Sequence, residues 1–182
     1  KLSARFSGLR RNVSKRVLLL EFDTAGLHLA EARFSGCGLQ FDHVSFIGLP
    51  ADALDRGVPV EPEKMGAMIQ QLCSEKHISV HRSAVVLPTE VAFQHFIQLP
   101  SGLSLQEARD LVLSTSSGLQ IPIALGQADF DLQITQLPLT QREDNTSWET
   151  YLITAIPSNL VDRVISTLQI ADLSAHMTEA VS

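Results

Sequence analysis

A chain of 182 residues, 45% of them hydrophobic, is long enough to bury one core or two small ones. The net charge of −6 hides an asymmetry: residues 1–16 carry six basic side chains and no acidic one, and the rest carries 8 basic against 20 acidic residues. The acidic body repels nucleic-acid phosphates and argues against such a partner. No apolar run approaches the roughly 20 residues of a membrane-spanning helix.

In the basic arm, Leu2, Phe6, Leu9 and Val13 recur at spacings of four, three and four. Two readings stand. The arm is a solvated tail, since helices this short are marginal alone, or an interfacial helix drawn to anionic lipid. Its acid-free composition also resembles an organelle transit peptide. Lys1 is not an initiator methionine, so the chain is expected to be a cut or trimmed form.

Val17–Phe22 reads as a buried strand, and Gly26–Phe34 as a second one after a short turn at Asp23-Thr24-Ala25. Gly36-Cys37-Gly38 is a tight reversal into a third strand, Leu39–Leu49, closing an antiparallel meander. Residues 50–62 hold three prolines and one glycine without periodicity and read as a loop. Pro62 suits the first turn of a helix, and Met65, Met68, Ile69, Leu72 and Cys73 give it one apolar face; a methionine-bearing stripe is the composition of a binding groove or of core, and it is taken as core. Ser83–Leu87 follows as a strand, completing a β-α-β step.

Phe93–Leu99 is the next strand. Ser104 and Glu107 form a capping box for a helix whose buried face is expected at Leu105, Ala108, Leu111 and Val112, with Gly118 and Pro122 ending the helical region. Phe130, Leu132 and Ile134 alternate with polar residues as a half-exposed strand. Gln141–Ser147 is a hairpin loop, and Thr150–Ile156 its partner strand. Pro157-Ser158 opens a last helix burying Val161, Val164, Ile165 and Leu168. Leu173–Met177 is a short final strand, and Thr178-Glu179-Ala180 reads as the start of an unfinished helix. No internal repeat is evident.

Few residues carry the pattern of a reaction. His77 and His81 flank Ile78-Ser79-Val80, a helix exit, and lack a nearby carboxylate, so they read as surface histidines. Ser83, Ser114, Ser116 and Ser117 lack a nucleophile-elbow context. Asp129 and Asp131 read as the wet side of a strand. Cys37 and Cys73 form no motif and read as inert apolar residues in a reducing cytoplasm. The one candidate phosphate loop is Glu21-Phe22-Asp23-Thr24-Ala25-Gly26, where a tight turn offers backbone N–H groups to an anion; an ordinary hairpin is the alternative.

The order strand–helix–strand–strand over Val85–Ile156, placed after a meander, resembles the inserted 1C subdomain of the type IV pilus-assembly PilM family and its FtsA relatives. Ala84-Val85-Val86-Leu87-Pro88 resembles the family's V-A-L-P strand, Ile97-Gln98-Leu99-Pro100-Ser101-Gly102-Leu103-Ser104 its I-Q-L-P-x-G-L-S phrase, and Leu29-Ala30-Glu31-Ala32 its L-V-E-L. The ending from Ala171-Asp172-Leu173 to Glu179-Ala180 resembles a family phrase from which a proline and an aspartate are missing.

The resemblance implies an α+β fold: the N-terminal lobe of an actin-like, ribonuclease H-like protein with an inserted strand–helix–strand–strand (SHS2, 1C-type) subdomain. It implies a basic arm at 1–16, a 1A-type lobe from 17–87 plus 157–182, and the insertion at 88–156. It implies a cytoplasmic scaffold on the inner face of the bacterial inner membrane, gripping a short N-terminal peptide of a PilN-like partner, with the arm 1–16 adding membrane contact. In the actin-like turn, Asp23, Thr24 and Gly26 would be the phosphate-binding positions. Glu21, Asp23 and His28 depart from the family's aspartate, glycine and lysine there, so the loop reads as eroded. ATP and magnesium are expected only with a second half of the fold. The competing expectations are a truncated actin-like ATPase, a GspL-type secretion cytoplasmic domain, and an unrelated α+β domain.

Overall fold

The computed structural model describes residues 16–23, 25–35, 38–115, 130–137 and 148–180. These fall into two compact units. One holds the described residues up to Leu87 together with those from Arg163, and the other is Pro88–Asp162. The basic arm before Arg16, the reversal at Gly36-Cys37, the break at Gly118–Pro122 and the loop Gln141–Ser147 lie outside the described residues, as do Thr24, Ser116, Ser117 and Asp129.

The first unit is built on a five-stranded mixed sheet. Its strands are β1 (Arg16–Phe22), β2 (Gly26–Ser35), β3 (Gly38–Gly48), β6 (Arg82–Leu87) and β10 (Ser174–Ala180), in the order β10-β6-β1-β2-β3. The meander β1-β2-β3 is antiparallel, and β6 and β10 add in parallel beside β1. The antiparallel meander and the β-α-β step from β1 through a helix to β6 are as expected from the sequence. Leu20 pairs with both Leu29 and Val85, and Phe22 with Leu27, so one face carries a row of fully buried apolar side chains. Each such burial stabilises by about 1.5–3 kcal/mol.

Helix α1 (Pro62–Glu75) begins at a proline, whose missing N–H costs nothing in a first turn. It buries Met65, Gly66, Ile69 and Cys73. It closes without glycine: His77 takes φ 56°, its N–H bonds the Ser74 carbonyl, and the Ile78 N–H bonds the Cys73 carbonyl. Helix α3 (Ser158–Ile170) closes in the same way, with Asp172 at φ 59° and bonds from Asp172 N to Gln169 O and Leu173 N to Leu168 O.

Four sequence expectations are corrected here. Residues 50–62 contain a small hairpin, β4 (Leu54–Asp55) and β5 (Val58–Pro59), turned at Arg56 and Gly57 with φ 50° and 75°. Val58 is buried there, and Arg163 on α3 donates to the Pro59 carbonyl at 2.7 Å and the Val58 carbonyl at 3.2 Å. Thr178-Glu179-Ala180 starts no helix; it extends β10 against Val85, Val86 and Leu87 of β6. Leu105 is exposed, because it opens its helix beside the cap and off the buried stripe, and Ile165 is 37% exposed instead of buried.

The second unit is a strand–helix–strand–strand module. Strand β7 (Phe93–Pro100), helix α2 (Leu105–Thr115), β8 (Phe130–Gln136) and β9 (Trp148–Pro157) follow in chain order, and the antiparallel sheet runs β7-β9-β8. The expected capping box is present: Glu107 N bonds Ser104 Oγ at 3.2 Å, and Ser104 N bonds a Glu107 carboxylate oxygen at 2.8 Å. Those bonds from Ser104 hold the Glu107 carboxyl below its usual range. Tyr151, Ile153 and Ala155 of β9 form a core with Ile97, Leu99, Ala108 and Val112. Arg109 donates to the Leu132 carbonyl, fixing α2 to β8.

Candidate functional site

The β1–β2 turn is the position where the sequence points to phosphate chemistry. Phe22 ends β1 in the core, and Gly26 opens β2. Asp23 and Gly26 exchange backbone bonds, Asp23 N to Gly26 O at 3.0 Å and Gly26 N to Asp23 O at 3.3 Å. Gly26 is required by close approach: a Cβ there would lie 2.1 Å from the Ile47 carbonyl oxygen of β3.

The Asp23 carboxylate turns back into its own loop. One oxygen accepts the N–H of Ala25 at 2.7 Å and that of Gly26 at 2.8 Å. The other lies 2.8 Å from His28 Nε2 on β2. His28 in turn packs on Phe46 with ring centroids 4.8 Å apart. The Ala25 N–H is the largest cause that lowers the Asp23 pKa, followed by the Gly26 N–H and His28. Backbone N–H groups of the kind a phosphate oxygen would take are thus held by an internal anion. A phosphate would have to displace that carboxylate and overcome its charge at short range.

This has a pH signature. Because the carboxyl titrates below its ordinary 3.8 in the folded chain, its contribution to stability is present above that value and is lost as pH falls through the lowered one. Asp23→Ala should therefore melt below the wild type at neutral pH, and the two melting curves should converge in acid below about pH 3.8. A melting difference that persists unchanged in strong acid contradicts the arrangement.

The other sequence candidates take structural roles. The Ser83 hydroxyl is buried and donates to the Ser174 carbonyl, joining β6 to β10. The Ser114 hydroxyl bonds the Leu111 carbonyl within α2. His77 closes α1, whereas His81 Nδ1 faces Asp172 at 3.3 Å. Asp131 lies on the exposed side of β8. Burial raises the Cys73 thiol pKa and leaves it a poor nucleophile. Among the described residues, no group of three or more His, Cys, Asp or Glu side chains gathers to hold a metal.

Two features were signalled in the sequence without being placed. A cavity of about 330 Å³ opens beside α1, lined by Leu49, Val60, Met65 and Met68, with Asp52 and the Glu61–Lys64 pair among its polar groups. The methionine stripe was expected as core; Met65 is buried, but Met68 is only half-buried and both line this cavity. Strand β3 lies at the edge of its sheet with Leu39, Phe41, Val44 and Phe46 exposed. The spacing Phe41, Val44, Phe46, which breaks strict alternation, was the available signal for its irregularity.

No protein-family model matches the sequence, and no curated protein does. Among solved structures, a chain of a PilM–PilN type IV pilus biogenesis complex superposes with a TM-score of 0.72 over 90% of this chain and 47% of that one, at 20% identity. This chain shares the fold of that chain of the PilM–PilN complex. Also similar are the cytoplasmic domain of EpsL, an inner-membrane component of the Vibrio cholerae type II secretion system (TM-score 0.49, 10% identity, 90% of this chain and 56% of that one), and a Bacteroides thetaiotaomicron protein with an actin-like ATPase fold (TM-score 0.41, 10% identity, 91% and 52%). The chain spans about half the length of the chain it matches in that complex. In this chain β1 and β2 bracket the turn at Asp23, and the strand–helix–strand–strand unit lies in sequence between β6 and β10.

Proposed function

We propose that this chain is a non-catalytic scaffold of a type IV pilus assembly machine, or of a related secretion machine, at the inner face of a bacterial inner membrane. In this reading it binds a short N-terminal peptide of a PilN-like membrane protein, held by backbone bonds and side-chain pockets. The observation that carries the proposal is the likeness in fold to a chain of a PilM–PilN complex over 90% of the sequence. The lobes are read as 17–87 with 157–182 and an insertion at 88–156. The basic segment 1–16 adds attraction to anionic lipid. Among the described residues, no helix is long and apolar enough to cross a membrane.

The turn at Asp23, Thr24 and Gly26 is read as an eroded phosphate loop whose anion site Asp23 now fills. Calorimetric titration with the N-terminal peptide of the PilN-like protein from the same genome tests the assignment. Saturable one-to-one binding without nucleotide is expected, together with no micromolar affinity for ATP. Peptide binding that appears only when ATP is added would favour an actin-like ATPase half instead. Absence of binding in every form would leave only the fold.

A further inference from the structure

The outer strand of the first sheet carries a pattern that a second copy of this chain would match. Among the described residues β3 has one strand neighbour, β2, and an 11-residue span of edge. Four large apolar side chains stand exposed along it: Leu39 at 42%, Phe41 at 55%, Val44 at 71% and Phe46 at 54%. A long apolar edge of this kind is a template for pairing.

The irregularity of β3 decides what fits. Leu29 pairs with Ser45 and Glu31 with Asp42, so His43 and Val44 together oppose Ala30, and His43 sits at φ 50°. Residues five apart on a regular strand lie on opposite faces. Here Phe41 pairs with Ala32 and Phe46 with His28, and those partners are four apart on β2. The bulge has therefore brought both phenylalanines to one face. Gln40 and Asp42, then Ser45 and Ile47, pair with Arg33, Glu31, Leu29 and Leu27 on the other. Read outward from the 43–44 junction, the two arms of the strand present the same alternation of faces. Without the bulge they would not.

We infer that β3 is a homodimerisation edge, on which two copies pair antiparallel about a two-fold axis at the His43–Val44 junction. Phe41 of one copy then lies opposite Phe46 of the other, twice, on one face of a continuous ten-stranded sheet. Asp42 meets Ser45, Gln40 meets Ile47, and His43 meets Val44, so no like charges face each other. Asp42 is also neutralised within its own copy by Arg33 at 3.6 Å. This self-complementarity is what a two-fold interface requires, and an unrelated strand would have to reproduce it. The facing bulges interrupt the ladder at the centre and confine the pairing to two short ladders beside it. Such an edge covers less than a standard interface of about 1,200–2,000 Å², so the dimer forms reversibly with concentration.

Sedimentation equilibrium of the chain from low to high micromolar concentration tests this. The wild type should pass from monomer to dimer. Phe41→Lys and Phe46→Glu should each weaken the dimer by roughly tenfold or more. The double variant should recover it, because each lysine then faces a glutamate across the axis. Within one copy positions 41 and 46 pair with Ala32 and His28, not with each other, so recovery reports contact between copies. Both side chains are more than half exposed, so each single variant should keep the wild-type circular dichroism; if a charged variant misfolds, Phe41→Ser and Phe46→Ser test the weakening alone. A wild type that stays monomeric throughout overturns the inference. So does a dimer that neither single variant weakens, or a double variant no better than the singles. A monomer whose edge variants instead lose binding of the PilN-like peptide would make β3 a peptide site and likewise overturn self-pairing.

Discussion

Gly26→Ala should unfold this protein at a markedly lower temperature, although the substitution adds a single methyl group. The added Cβ would stand 2.1 Å from the Ile47 carbonyl oxygen, 2.9 Å from its carbon and 3.0 Å from a Phe46 ring carbon. Two of those atoms are backbone within the β2–β3 pairing, where Gly26 faces Gly48 and Leu27 faces Ile47. A side chain could rotate away, but a paired main chain can yield only by separating the strands. The methyl would ordinarily help, since glycine in a strand loses more freedom on folding by about 0.5–1 kcal/mol. The clash should reverse that sign and destabilise by about 3 kcal/mol, the upper range for overpacking. For a chain of this length that is a fall in Tm of about 6–12 °C. Calorimetry of the two proteins checks it, and a variant that melts at or above the wild type would show that β2 and β3 are not so close.

Gly66→Ala on α1 is the second large effect, and its sign is again opposite to the usual one. In an exposed helix this change stabilises by about 1 kcal/mol. At Gly66 the new Cβ would lie 2.6 Å from Ile170 Cβ, 2.7 Å from Ile170 Cγ2 and 2.7 Å from the Thr167 carbonyl oxygen. That carbonyl accepts the Ala171 N–H at 3.1 Å, and the buried Thr167 hydroxyl bonds the Arg163 carbonyl at 2.8 Å, so Thr167 is fixed within its own helix and its carbonyl cannot turn away. The helices must part, at a net cost of about 2 kcal/mol. Combining Gly66→Ala with Ile170→Ala should recover only part of the loss, because the Thr167 carbonyl remains. Denaturant unfolding of the single and double variants measures both quantities, and full recovery would assign the whole clash to Ile170.

The parts of the fold legible in the sequence were those written in local patterns. The meander, α1, the capping box at Ser104 and the alternating β8 each follow from periodicity or from one side chain that caps a neighbour. The errors fell where distant contacts decide. Thr178-Glu179-Ala180 has the composition of a helix start, but pairing with β6, far back in the chain, makes it a strand. The hairpin at Leu54–Pro59 carried a signal in Gly57, yet its stability rests on Arg163, over a hundred residues away. Both helix ends lacked the customary glycine, since His77 and Asp172 take the left-handed conformation instead. At the turn, an aspartate bonding the amides two and three residues on is a local motif and was open to reading. Its effect on the loop, filling the anion position from within, emerged only with the coordinates.

The threading of β6 and β10 bears on how the molecule is made. The second unit is one continuous run, Pro88–Asp162, so all the residues it needs are present once that run has been made. The sheet of the first unit cannot close so early. Strand β6 waits for β10, and the bond from Ser174 N to the His81 carbonyl spans more than ninety residues of intervening chain. During synthesis the inserted unit therefore has the means to fold first, while an incomplete sheet stands with β6 uncovered. Long-range strand pairing of this kind is slow, and an uncovered strand invites wrong partners. The vulnerable interval for this sheet is then the translation of the residues between β6 and β10, during which one edge of β6 is without its partner strand.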